Sequence, residues 1–289
     1  MKVEEILAKY EAGGRFFNVN GVQSFVLDQG KGDPVLCIHG VPASAYLYRK
    51  VVPALARHNL RGVAFDMPGL GLADRPEDFD YTWSGLSRFC EEAANSLGLG
   101  RFHLVVHDIG GPVGLMLAAR NPERIKSLTI LNTLIDADTF HRPWMMAPFA
   151  WPIIDRIWLA SMNRWLLYML FRYTGAADFS NLPRQEIYAY VDLLKRKDSG
   201  KAFLKIMRGF ELTPGVRDLC HAAVQNPNYP RQLIWGIKDR ALSFEKQGKR
   251  ILEVAGISEA TRVNGKHFLQ EDNSELIAQR ISRLAQGTR

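Results

Sequence analysis

Short, almost continuously apolar runs alternate with helix-like segments along most of this chain, and that alternation constrains its fold more than any other feature. The runs "VQSFVLD" (22–28), "PVLCIHG" (34–40), "GVAFDMPG" (62–69), "FHLVVHD" (102–108), "SLTILNT" (127–133), "QLIWGIKD" (232–239) and the weaker "ATRVNG" (260–265) read as strands. Helical patterns at 44–57, 82–96, 111–120, 244–254 and 273–284 fill the gaps. Strands apolar on both faces and separated by helices predict an α/β fold, with a mostly parallel central sheet flanked by helices. Ligands of such sheets bind beyond the carboxyl ends of the strands.

The alternation breaks between about 135 and 217, where aromatic-rich helical sequence carries prolines and no convincing strand. This segment is expected to form a helical cap inserted into a core made of residues 1–134 and 218–289. Within it Trp144, Trp151, Trp158 and Trp165 recur every seven residues, which on a helix brings them near one stripe. Cap packing, a substrate-channel lining and an interfacial membrane-binding helix all fit that spacing. Net charge is +7, but lysine and arginine are scattered rather than gathered into a nucleic-acid patch. The three cysteines, Cys37, Cys90 and Cys220, are far apart and suggest neither a disulfide framework nor a metal site. With no secretory signal in "MKVEEILAKYEAGG" and no apolar run long enough to span a bilayer, a cytoplasmic protein is expected.

The chemistry gathers around "LVVHDIGGPVGL" (104–115). A strand that turns directly into a helix thrusts one residue out at its tip, and glycines behind it permit the tight turn. Here the tip residue is Asp108. A carboxylate displaces a good leaving group from a tetrahedral carbon and forms an ester, which water must then cleave. That second step needs a base, an acid to orient the base, and donors for an oxyanion. His267 in "GKHFLQED" supplies the base, and Asp239, ending "LIWGIKD", supplies the acid. The backbone N–H groups of Val41, in "HGVP", and Ile109 form the natural oxyanion pair. His39 is expected to support its loop and His107 to point away from the site, while Asp66 and Asp74 read as turn residues. Asn132 ends its strand without a charge.

The segments "HGVPASAYLYRKVVPAL", "DMPGLGLADRP", "VVHDIGG", "ARNPERI", "LIWGIKD" and "HFLQEDN" resemble the α/β-hydrolases of the haloalkane dehalogenase and epoxide hydrolase group. The resemblance implies Asp108 as nucleophile, His267 as base and Asp239 as acid, with no cofactor and no metal. It covers both core segments and hardly touches the cap. Dehalogenases of the group carry a tryptophan after the nucleophile to hold the halide, where this chain has Ile109. Many also carry asparagine where it has Val41. Epoxide hydrolases protonate the opening alkoxide with cap tyrosines or a His/Tyr pair, which here points to His141, Tyr168, Tyr173, Tyr188 and Tyr190, with Trp144 as a further candidate contact. An epoxide hydrolase acting on a small apolar electrophile and water is the leading expectation. A dehalogenase-like enzyme with a different halide site, an ester or lactone hydrolase, and a non-catalytic small-molecule receptor are the alternatives.

Overall fold

A computed structural model describes residues 1–180 and 182–287. Eight strands form one sheet in the order β1-β2-β4-β3-β5-β6-β7-β8: β1 Arg15–Val19, β2 Val22–Gln29, β3 Pro34–Ile38, β4 Arg61–Phe65, β5 Phe102–Asp108, β6 Ile125–Thr133, β7 Arg231–Gly236 and β8 Thr261–Val263. The β1–β2 and β2–β4 pairs are antiparallel, and every pair from β4 to β8 is parallel. The inner strands β3, β5 and β6 are buried along nearly their whole length, as expected where helices cover both faces. Helices Trp83–Ser96 and Gly110–Arg120 pack on each other, and Leu269–Gln286 packs on Val51–Arg57.

The chain leaves β3 toward β4 on one side, whereas β5 pairs on the other. The loop after β3 and the end of β5 therefore flank a crevice where strand order reverses, the usual place for a ligand in such sheets. Between β6 and β7 the described residues contain helices and no strand. The last of these helices, Pro214–Gln225, packs on Gly110–Arg120 and on Lys249–Ala255. It thus lies with the sheet-flanking helices, and the expected boundary at 217 cuts through it. No helix among the described residues is long and apolar enough to cross a membrane.

Candidate active site

The strand β5 ends on Asp108 in the left-handed region, at φ 54°. A non-glycine residue there is strained, and such strain persists only where neighbours hold it. The Thr133 hydroxyl donates to the Asp108 carbonyl at 2.5 Å. Glycines allow the chain to crowd around this turn. A Cβ on Gly40 would lie 2.1 Å from Asp108 Oδ1, and one on Gly111 would lie 1.7 Å from Thr133 Oγ1.

The two carboxylate oxygens of Asp108 face different partners. Val41 N–H donates to Oδ1 at 2.7 Å, and the Ile109 N–H favours the charged carboxylate. Oδ2 lies 3.3 Å from His267 Nε2. His267 Nδ1 in turn lies 2.8 Å from Asp239 Oδ2. Asp239 is fully engaged: its Oδ1 accepts from Ala241 N at 2.7 Å and Leu242 N at 2.9 Å. Asn132 Nδ2 donates to its Oδ2 at 2.6 Å, and Asn132 Oδ1 accepts from Gly236 N at 2.9 Å. Asn132 thus holds Asp239 in place, bridging β6 to β7. The structure brings together Asp108, His267, Asp239, Val41 and Ile109.

Electrostatics follow from this geometry. Burial alone would raise the Asp108 pKa, but the hydrogen bond and charge of His267 outweigh it and hold the carboxyl below its usual value. Burial disfavours a charged His267, yet Asp239 and Asp108 together push its pKa up to about 10. The resting site is therefore an imidazolium between two carboxylates. Because the His267 pKa is raised on folding, its contribution to stability is full below about pH 6.5 and fades as pH rises through about 10. The stability advantage of the wild type over His267→Gln, measured by urea unfolding, should shrink across that window. An advantage that is constant from neutral to alkaline pH would contradict the ion-pair assignment.

The neighbouring histidines do different work. Burial lowers His39 and His107 to about 4, so both are neutral. His39 Nε2 accepts from Met67 N at 3.1 Å while Nδ1 faces Gly40 O at 2.9 Å, which fixes the loop after β3. His107 points away from the cavity, and its Nε2 lies 2.8 Å from the His267 carbonyl. The backbone of the histidine loop is also tied to the cap, through His267 N to Thr174 O at 2.9 Å and Phe268 N to Gly175 O at 2.8 Å. Asp66 is a fully buried carboxyl that accepts from Ala45 N and Leu72 N, whereas Asp74 accepts from Gln23 N.

Asp108 and His267 open into a mostly apolar cavity. Its wall is mostly Leu, Met and Phe from the cap, among them Met145, Phe149, Leu170 and Phe203. None of His141, Trp144, Tyr168, Tyr173, Tyr188 and Tyr190 lines it. His141 and Trp144 are exposed, Tyr173 lies at the surface under Arg240, and Tyr168 packs edge-on against Tyr188. Tyr190 is buried elsewhere, its hydroxyl donating to Glu271 Oε1 at 2.5 Å beside Arg49. The tyrosines lie away from the cavity, whose wall is filled by aliphatic, methionine and phenylalanine side chains.

One polar group in the wall escaped the sequence reading. Arg142 lines the cavity with its guanidinium 4.6 Å from the Phe210 ring centroid. It donates to Met207 O at 3.0 Å, makes no ion pair among the described residues, and keeps a buried Nε without a partner. Burial holds its pKa below the ordinary arginine value. The only signal in the sequence was a lone cation in the apolar stretch "HRPWMM".

A family model for the alpha/beta hydrolase fold matches residues 33–194, more than half of the chain. The chain belongs to the α/β-hydrolase fold family. This hydrolase is 29% identical to a cis-3-alkyl-4-alkyloxetan-2-one decarboxylase of Shewanella oneidensis, over 92% of this chain and 91% of that one. It is also 29% identical to haloalkane dehalogenase 2 of Mycobacterium tuberculosis, over 94% of each. The solved epoxide hydrolase CorEH shares its fold with a TM-score of 0.79 and 21% identity, over 96% of this chain and 99% of that one. Haloalkane dehalogenases and an oxetanone decarboxylase are thus among the relatives of this α/β hydrolase.

Proposed function

We propose that this hydrolase opens an apolar electrophile by attack of Asp108 on a tetrahedral carbon, and that the resulting ester is cleaved by water activated by His267. The division of labour between the two oxygens of Asp108 carries the reading. Oδ2 faces the cavity and His267, and attacks; the bond to the leaving group breaks with its electron pair. Oδ1 stays in the grip of Val41 N–H, where it becomes the ester carbonyl oxygen. Water then adds to the Asp108 carboxyl carbon, and negative charge develops on Oδ1, already facing its donors. Forming the ester removes one of the two negative charges that hold His267 protonated. Its pKa falls at the stage when a neutral base is required. Collapse returns the carboxylate and releases the alcohol. The segment from 135 to 213 acts as the cap that keeps bulk water out.

The cavity wall narrows the substrate class. An epoxide leaves an alkoxide that needs an acid; the cap tyrosines lie outside the lining and the Thr174 hydroxyl donates to Leu170 O, which leaves His267 as the acid that would also have to serve as the base. A halide needs N–H donors, and with no tryptophan in the lining it has the Arg142 guanidinium but no indole to hold it. A lactone opened at its alkyl carbon leaves a carboxylate, which needs no proton and pairs with a guanidinium. Arg142 offers one. The substrate class proposed is therefore an alkyl-substituted strained lactone. The name of the Shewanella oneidensis relative, for an oxetan-2-one, points the same way.

That relative also favours a second fate for the ester. The new carboxylate can leave as carbon dioxide. Its C–C pair then forms an alkene while the ester's alkyl C–O pair returns to Asp108, and no water is consumed. Assaying a dialkyl β-lactone, an epoxide and a bromoalkane of equal length tests these readings. The lactone should be the best substrate, giving hydroxy acid by hydrolysis or alkene by decarboxylation. Arg142→Leu should lower its kcat/KM by about 10–100-fold, the usual range for a hydrogen bond to a charged group. The same variant should lower the bromoalkane rate less, because a single halide cannot pair bidentately with a guanidinium. An inert lactone beside an active epoxide, or equal losses on all substrates, would contradict the assignment.

A further inference from the structure

The cap turns an apolar surface outward as well as inward. Trp144, Trp151, Ile157 and Trp165 are 64%, 57%, 67% and 65% exposed. Of the tryptophans spaced by seven, only Trp158 is tied down, its indole N–H donating to Met145 O at 3.1 Å, and none lines the cavity. The spacing therefore describes neither a channel lining nor a packed stripe.

Ile157 and Trp165 lie on two helices joined by Met162 and Asn163 alone, Ile154–Ser161 and Arg164–Leu170, and Trp144 and Trp151 precede them in the chain. Ile154 and Ile157 are three apart on the first. Trp165 and Met169 are four apart on the second, and Tyr173 continues their stripe beyond its end. The opposite side of the same segment supplies Met162, Leu167 and Leu170 to the cavity. A helical layer apolar on both sides is suited to water only if something covers its outer face, and a contiguous exposed patch of this kind marks an interaction surface. Ile153, just before the first helix, is exposed at φ 79°, a strained conformation for a β-branched residue.

Charge identifies the occupant. Where the stripe ends, the Arg240 guanidinium sits 4.4 Å over the Tyr173 ring, and Lys266 donates to the Arg172 carbonyl. Burial, then the repulsion of Arg240, Arg172 and Lys238, keeps Lys266 below its ordinary pKa, with Asp272 opposing. Arg172, Lys238, Arg240 and Lys266 form no ion pair among the described residues. Indole and aliphatic groups beside unpaired cations match an anionic bilayer surface, where indoles sit at headgroup level and cations meet phosphate. A second copy seated on the same face with two-fold symmetry would bring two such cationic clusters together.

We propose that this cap face docks on an anionic lipid surface, seating Trp144, Trp151, Ile157 and Trp165 among the headgroups while Arg172, Lys238, Arg240 and Lys266 face lipid phosphates. The docked enzyme would then sit with its apolar cavity next to the phase in which apolar substrates dissolve. The inference is independent of the nucleophile chemistry.

Co-sedimentation of the full-length protein tests it, with vesicles of phosphatidylcholine alone and of phosphatidylcholine mixed with phosphatidylglycerol. Binding to the mixed vesicles should be about tenfold or more tighter and should weaken with salt. Ile157→Glu with Trp165→Glu should abolish it, and Arg172→Glu with Arg240→Glu should remove the preference for phosphatidylglycerol. Both variants should keep the wild-type circular dichroism and thermal midpoint. Tryptophan emission should shift to the blue on binding in the wild type. No sedimentation of folded wild-type protein with the mixed vesicles would overturn the proposal. So would a concentration-dependent oligomer, broken by Ile157→Glu, that leaves the protein unable to bind lipid, which would assign the face to a second copy. Equal binding by wild type and variants would overturn it as well.

Discussion

His267→Gln, incubated with a turnover substrate, should gain the mass of one lactone or epoxide, or of one bromoalkane less hydrogen bromide, and stop there. The glutamine cannot take a proton from water, so the ester at Asp108 forms but persists. Attack itself needs only the carboxylate, which Val41 N–H still holds through Oδ1 at 2.7 Å. Multiple turnover should fall by about a thousandfold or more, at the upper end of what a general base contributes, while a first stoichiometric burst of product from the leaving side survives. Intact-mass measurement reads the adduct, and peptide mapping should place it on Asp108. If the ester instead collapses by losing carbon dioxide, the lactone alone should leave no adduct, and the bromoalkane should still trap one. An unmodified variant with every substrate would mean that His267 takes part in the first step.

Asp108→Asn should show the opposite behaviour: no adduct, and activity lower by about ten-thousandfold or more. Loss of a nucleophile that acts together with its base costs at least that much in well-studied hydrolases. The amide is nearly isosteric with the carboxylate, so a Cβ-sized clash with Gly40 does not arise. The change also leaves His267 with Asp239 as its remaining charged partner at 2.8 Å. Its pKa should fall, and a titration of the ring by NMR should show the drop relative to wild type. A variant that lost activity while its His267 pKa stayed unchanged would point to a misfolded loop.

The sheet was legible where its strands are buried on both faces. The runs at 102–108 and 34–40 coincide with β5 and contain β3, because continuous apolar sequence between helices has few other solutions. β1, Arg15–Val19, escaped notice. It is an antiparallel edge strand with mostly exposed side chains, so "RFFNV" carries no buried pattern. The reactive groups were legible for a different reason. Asp108, Asp239 and His267 each follow a strand end, and parallel strands deliver those ends to one edge of the sheet. Asn132 was read only as an uncharged stand-in, although its amide holds Asp239 from the neighbouring strand.

The cap resisted reading because its helices are apolar on two sides, so periodicity cannot say which side faces the cavity. Tyr188 and Tyr190 illustrate the difficulty. Two positions apart on one helix, they point to different faces, and neither lines the cavity. Arg142 depends on tertiary placement alone: nothing local distinguishes a cation that enters a cavity from one that enters water.

Oxygen exchange into Asp108 tests the central claim most directly. The enzyme is turned over many times in water labelled with heavy oxygen, on the haloalkane or lactone that it hydrolyses, then digested, and the peptide bearing Asp108 is weighed. Attack of water on the ester carbonyl predicts label in the Asp108 carboxylate, and unlabelled product in the first turnover. Label found only in the product, with the Asp108 peptide at its natural mass, would contradict the covalent mechanism.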